Sequence, residues 1–340
     1  MYRKARASLL FAAAVVAGSL LLPVAFAAAP AGAPPAGPGG FGGAGGAPGA
    51  RGGAPGGAPG GAPGRGRGFA ATPPGPPAPV PPEVAQPNAD QVKSINDELK
   101  KFIASSTSSN KALLQKYEST ILLPPPRLNV AATYTQTGQR QGARHEGFVE
   151  QAKKGGIDLL LDGDSITDLW ASGANNKPVY DKYFGQYKTA NFAISGDTTQ
   201  GVLWGLHNGE GQGFQPKAVM LMIGTNNTGG NTAPEIAEGV GAVVLELRND
   251  FPNAKILLLA IFPRNATATD ATRLKIIEIN KIIQKLDDGK HVFYMDIGQK
   301  FLTADGTLTN EIMGDLLHPT PKGYEIWGEA VKDKLAELMK

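Results

Sequence analysis

The chain of 340 residues contains no cysteine. A disulfide framework, a thiolate metal site and lipidation at a cysteine are therefore excluded, and stability must come from an ordinary core. Acidic residues are absent from positions 1–82, which hold six of the 33 Lys and Arg residues. The remaining 27 basic residues meet all 30 acidic ones in 83–340, a formal −3. The sequence pI of about 8.9 thus describes the leader and arm. This argues against nucleic acid as a partner of the folded part. No internal repeat of domain scale is present, and length alone would allow two domains.

Arg3, Lys4 and Arg6 precede an apolar run from Leu9 to Phe26, and Ala25-Phe26-Ala27 places small residues at a cleavage site. Residues 1–27 are expected to be a signal peptide, which makes the protein exported, periplasmic or extracellular. An uncleaved anchor is the alternative, since Ser8–Ala29 is long enough to span a bilayer. No stable membrane partner is expected unless the leader is retained. Residues 28–87 are mostly Gly, Ala and Pro, with GGAP repeated at 52–55, 56–59 and 60–63. Such composition buries little apolar surface, so this stretch is expected to be a disordered linker. Arg51, Arg65 and Arg67 allow contact with an acidic cell envelope; an inert tether is the plainer reading.

Order is expected from about Asn88, so residues 88–340 form the domain, with a helical extension over 88–126. Val92, Ile95, Leu99 and Phe102 fit one helix face. A second short helix, Lys111–Tyr117, is expected to turn Leu113, Leu114 and Tyr117 inward, and Arg144–Lys154 forms a third amphipathic segment. Strands are then expected at 157–162, 188–193, 217–223, 255–261 and 291–295. Helices are expected at 197–206, 233–250, 270–286 and 321–339. Alternation of this kind predicts an α/β fold with one five-stranded parallel sheet in the order 2-1-3-4-5 and a crevice between strands 1 and 3.

Candidate chemistry lies at the ends of those strands. Ser165 stands where Leu159–Leu161 gives way to the helical spacing of Ile166, Leu169 and Trp170. There the first N–H groups of a helix are free and its dipole is positive. Ser165 suits a nucleophile, although Ser is also a common helix cap. Gly196 follows strand 2 and Asn226 follows strand 3; both suit oxyanion donors, and both also suit plain loop roles. Asp315 lies three residues before His318, close enough to orient it as a general base. Asp168 reads as a solvated helix residue and Asn227 as support for Asn226. His145 reads as solvated or locally bonded, and His207 and His291 as packing residues.

Gly163-Asp164-Ser165, Gly196, Gly224-x-Asn226 and Asp315-x-x-His318 occur in order over residues 144–338. Together they resemble the SGNH hydrolases, also called GDSL lipases and esterases. NFAISGDTTQGVLWGLHNGE with IGTNNTGG is most similar to platelet-activating-factor acetylhydrolase catalytic subunits. The resemblance implies a flavodoxin-like three-layer α/β/α fold and an esterase using Ser165, His318 and Asp315. It also implies no metal and no other cofactor, with Ser165, Gly196 and Asn226 as oxyanion donors. Asp162 departs from the family, whose members usually carry an uncharged residue there, and invites pairing with a cation. The Gly/Pro arm and residues 88–120 lie outside the resemblance.

The expected function is hydrolysis of short-chain esters, acetyl first, on O-acetylated saccharides or on lipids. Two alternatives remain from the sequence. One is a secreted binding module without catalysis. The other is a Mg²⁺-dependent haloacid-dehalogenase-like phosphatase using Asp162 and Asp164, although Asp287-Asp288 precede a strand rather than follow one.

Overall fold

The structure, a computed structural model, describes residues 73–340. The expected signal peptide and the linker up to residue 72 lie outside the described residues. Five parallel strands form one sheet: β1 (Leu159–Gly163), β2 (Thr189–Asn191), β3 (Ala218–Met222), β4 (Lys255–Leu259) and β5 (Val292–Met295). Their order is β2-β1-β3-β4-β5, as the alternation predicts. Leu161 pairs with Asn191 on one side and Met220 on the other, which brings the carboxyl ends of β1, β2 and β3 together.

Ten α-helices accompany the sheet in the described residues. They are α1 (Ala89–Ser105), α2 (Lys111–Lys116), α3 (Glu118–Ile121), α4 (Ala143–Lys154), α5 (Ser165–Ser172), α6 (Lys177–Phe184), α7 (Thr199–Gly205), α8 (Ala233–Asp250), α9 (Ala271–Ile283) and α10 (Pro321–Leu338). Local chemistry sets several starts. Thr232 and Glu235 form a reciprocal capping box on α8, and Asp270 accepts two N–H groups at the head of α9. Helix α6, which has Pro178 in its first turn, was not expected.

Side chains alternate across the sheet. Leu160, Val219, Leu221, Ile256 and Leu258 face a core shared with α4, α7, α8 and α9. Leu159, Leu161, Met220, Met222, Leu257 and Leu259 face a second core shared with α5, α6 and α10. The result is three layers.

The N-terminal boundary lies further upstream than Asn88. Ala78 donates to Ala132 O at 2.8 Å, Tyr134 donates to Pro76 O at 2.9 Å, and Ala78 and Val84 are buried. Gly75 permits this approach, since a Cβ there would meet Tyr134 O at 1.9 Å. A proline-rich strip cannot sustain a ladder, but it can satisfy a few backbone groups singly.

Two packing expectations in the extension are corrected. Phe102 is 59% exposed, and Ile103 is buried in its place. Val92 and Ile103 are the buried residues of α1, Ile95, Asn96 and Leu99 are half-buried, and Asn96 bonds both the N–H and the C=O of Leu123. Leu113 and Tyr117 of the α2 segment are exposed rather than inward.

Trp170 of α5 is fully buried and lies 4.4 Å from Trp327, 4.8 Å from Phe184 and 5.0 Å from Tyr324, centroid to centroid. It holds α5, and therefore Ser165, against α10. Replacing Trp170 with Ala is expected to lower the unfolding free energy by about 3–5 kcal/mol, read from urea titration. A change under about 1 kcal/mol would remove this residue from the account of the core.

Candidate active site

β1 ends in Gly163, whose φ of +156° and crowding both exclude a side chain: a Cβ would lie 2.4 Å from Met222 O. The next residue, Asp164, caps α5 by accepting the Ile166 N–H at 3.0 Å. Ser165 is thereby the first residue of the helix, and among the described residues nothing takes up its N–H. Its Oγ lies 2.8 Å from Nε2 of His318.

His318 arrives from a tight loop closed by the Met313–Pro319 bridge. Asp315 Oδ2 lies 2.7 Å from the imidazole Nδ1, while Asp315 Oδ1 accepts the backbone N–H groups of Leu317 and His318. Leu316 takes a left-handed φ of +62° so that the chain can fold back on Asp315. Burial acts to raise the pKa of Asp315, but the His318 N–H and imidazole outweigh it and hold the carboxyl below its usual range. The structure thus brings Ser165, His318 and Asp315 into one hydrogen-bonded chain.

Gly196, with φ of +81°, lies on the exposed loop after β2. Ile194 N–H ties that loop to Gly163 O at 3.3 Å. The N–H of Gly196 has no partner among the described residues. Asn226 sits in the turn after β3 and donates from Nδ2 to Asp197 O at 2.8 Å, which places it beside the Gly196 loop. Asn227 instead accepts the Thr199 N–H and donates to Gln200, holding this turn to α7.

Asp168 is not solvated. It is 7% exposed, accepts from both N–H and Oγ of Ser195 at 3.0 and 2.7 Å, and pairs with Arg144 at 3.0 Å. Its place one turn after Ser165 makes it a strut beneath the Gly196 loop, a role that helix periodicity does not reveal. His145 is bonded through Nδ1 to Glu210 at 2.7 Å, and His207 packs on Tyr134.

The sequence reading missed Arg140. It is fully buried and pairs with Asp162 at 3.1 Å, with Asp197 at 2.6 Å and with Glu210. Asp162 was the signal, since a charge on a buried strand demands a cation. The cation lies 22 residues upstream in an irregular segment, where no spacing rule points to it. Burial lifts Asp162 to about 7 despite Arg140, and Glu210 adds to the rise. Asp162 and Asp164 are both fully buried, one paired and one capping. Neither presents an oxygen to the crevice, which removes the phosphatase alternative. Among the described residues, no group of three or more His, Asp or Glu side chains is placed to hold a metal ion.

The profile of the GDSL-like lipase/acylhydrolase family matches residues 163–326. The chain is 34% identical to the rat platelet-activating factor acetylhydrolase IB subunit alpha2, over 59% of this chain and 85% of that protein. It is 30% identical to the human alpha1 subunit, over 57% and 82%. The chain belongs to the GDSL-like lipase/acylhydrolase family. It is a carboxylic ester hydrolase. A GDSL-like lipase of known structure from Bacteroides thetaiotaomicron aligns with this hydrolase at 15% identity and a TM-score of 0.46, over 57% of this chain and 97% of that one.

Burial also lifts the cap of this family's motif helix, Asp164, to about 7, with the Ile166 N–H acting in the opposite sense. A carboxyl raised on folding holds its proton more tightly in the native state. Its stabilising effect is full below the ordinary carboxylate range and is lost as pH rises through about 7. Asp164→Asn is therefore expected to lose less stability than the parent between pH 5 and pH 8 in urea titrations. Equal losses would contradict this assignment.

Proposed function

We propose that the protein is a serine esterase that removes short acyl groups, acetyl foremost, through an acyl-enzyme on Ser165. The observation that carries this is the chain of contacts Ser165 Oγ to His318 Nε2 at 2.8 Å and His318 Nδ1 to Asp315 at 2.7 Å. Ser165 Oγ attacks the ester carbonyl carbon while His318 takes its proton. Asp315 holds the imidazole in the tautomer that leaves Nε2 free to accept. The oxyanion is met by the N–H groups of Ser165 and Gly196 and by Asn226 Nδ2. As the bond to the alcohol breaks, Nε2 returns the proton to the leaving oxygen. Water then repeats the sequence and releases the acid.

The relatives named acetylhydrolases support a short acyl group. So do the tight connections after β1 and β3, which offer no long segment to cover an extended acyl chain. We assign O-acetylated saccharides as the first substrate class and lipid esters as the second, and an exported location from the pattern of residues 1–27.

Hydrolysis of p-nitrophenyl esters tests the chemistry. Ser165→Ala is expected to lower kcat by roughly 10⁴-fold or more, and His318→Ala comparably. The rate of the parent enzyme should survive a chelator. Undiminished turnover in Ser165→Ala would end the acyl-enzyme reading. Across acetyl to octanoyl esters, kcat/KM is expected to be highest at acetyl. A maximum at octanoyl would overturn the short-acyl assignment alone.

A further inference from the structure

We propose that Arg140 is the positioning residue of the oxyanion hole, setting the spacing of all three donors through one buried guanidinium. This rests on the acyl-transfer reading of Ser165. Arg140 is fully buried and does not touch substrate. One terminal nitrogen donates to Asp162 Oδ1 at 3.1 Å, and the same oxygen accepts the N–H of Gly163 at 2.8 Å, two residues before Ser165. That nitrogen also donates to Phe192 O at 3.1 Å, at the root of the Gly196 loop. Nε donates to Asp197 Oδ2 at 2.6 Å. Asp197 directly follows Gly196, and its carbonyl is the group that orients Asn226 Nδ2. The remaining arm is anchored on Glu210, in the turn after α7.

Each donor is therefore a few covalent or hydrogen-bonded steps from the same planar fork. Gly163 leads to the Ser165 N–H, Asp197 leads back to the Gly196 N–H, and Asp197 O leads to Asn226. The directions of a guanidinium's donors are fixed relative to one another, so it can hold three partners at set angles. An ammonium is a point charge on a flexible stem and cannot. Oxyanion donors act only within about 2.7–3.1 Å of the developing charge, so small displacements of these loops remove them. Three carboxylates facing one guanidinium, with His145 beside Glu210, is an expensive arrangement to bury. A core needing only volume at this place would use apolar side chains. Outside the fork, Thr137 Oγ1 and the Thr198 N–H hold Asp197 Oδ1 at 3.0 and 2.8 Å.

Arg140→Lys tests this on the full chain, with active sites counted by covalent titration with a fluorophosphonate. Turnover of p-nitrophenyl acetate is then expressed per titrated site. We expect kcat per site to fall about 10²-fold, the size of one lost donor, with KM within about threefold. Asn226→Ala should lower kcat about 10²–10³-fold in the parent. In the Arg140→Lys background its effect should shrink to under about tenfold, because the donor is already displaced. A lowered Tm with unchanged kcat per site would reduce Arg140 to a structural residue and overturn the proposal. So would an Asn226→Ala effect of equal size in both backgrounds. If Arg140→Lys does not fold, Thr137→Val removes one bond from Asp197 and should show the same kcat-only loss, up to roughly tenfold; an unchanged kcat per site there overturns the proposal. Activity persisting in Ser165→Ala would instead indict the acyl-transfer reading itself.

Discussion

The site depends on a single electrostatic constraint: a guanidinium and three carboxylates share a dry volume behind the ends of β1 and β2. Burial opposes the charge of Arg140, yet the three acids outweigh it and raise its pKa. Arg140 cannot leave without stranding the acids around it, since an uncompensated buried charge costs several kcal/mol. The backbone around them is correspondingly fixed. Above this cluster lies the crevice that an open parallel sheet offers at its topological switch point, where β1 has β2 on one side and β3 on the other. Position comes from the sheet, and precision comes from the ions beneath it.

The sheet was legible because its signal is local. Apolar runs such as Leu159–Leu161 and Ile256–Leu259 exist only where both faces of a strand are covered, and the caps at Thr232 and Asp270 announce their helices. What misled was the extension. There Phe102 and Ile103 both lie about one turn after Leu99, and apolar spacing alone does not choose between them. The packed strip at 75–86 escaped for a similar reason: its Pro and Gly content resembles the arm before it, and its partners, such as Ala132 and Glu238, lie far away in sequence.

At the site, the candidate residues were legible and their supports were not. Ser165, Gly196, Asn226, Asp315 and His318 each follow a strand or a turn, and their chemistry marks them. Asp168 looks like any polar residue on an amphipathic helix until the Ser195 loop is folded over it. Arg140 has no pattern at all; only the oddity of Asp162 hinted at a cation. Candidate reacting residues are constrained by chemistry, which sequence displays. Residues that hold them are constrained by topology, which appears only when distant segments meet.

The imidazole at 318 stands 153 residues beyond the hydroxyl it meets. Ser165, Gly196 and Asn226 leave the ribosome long before it, and Tyr324 and Trp327 of α10, which pack on Trp170, follow later still. A chain that stops short of position 318 lacks the imidazole that Ser165 Oγ meets. The segment that brings the imidazole and the helix that closes over Trp170 are thus one continuous stretch, so the end of the chain governs both the packing behind Ser165 and the partner in front of it.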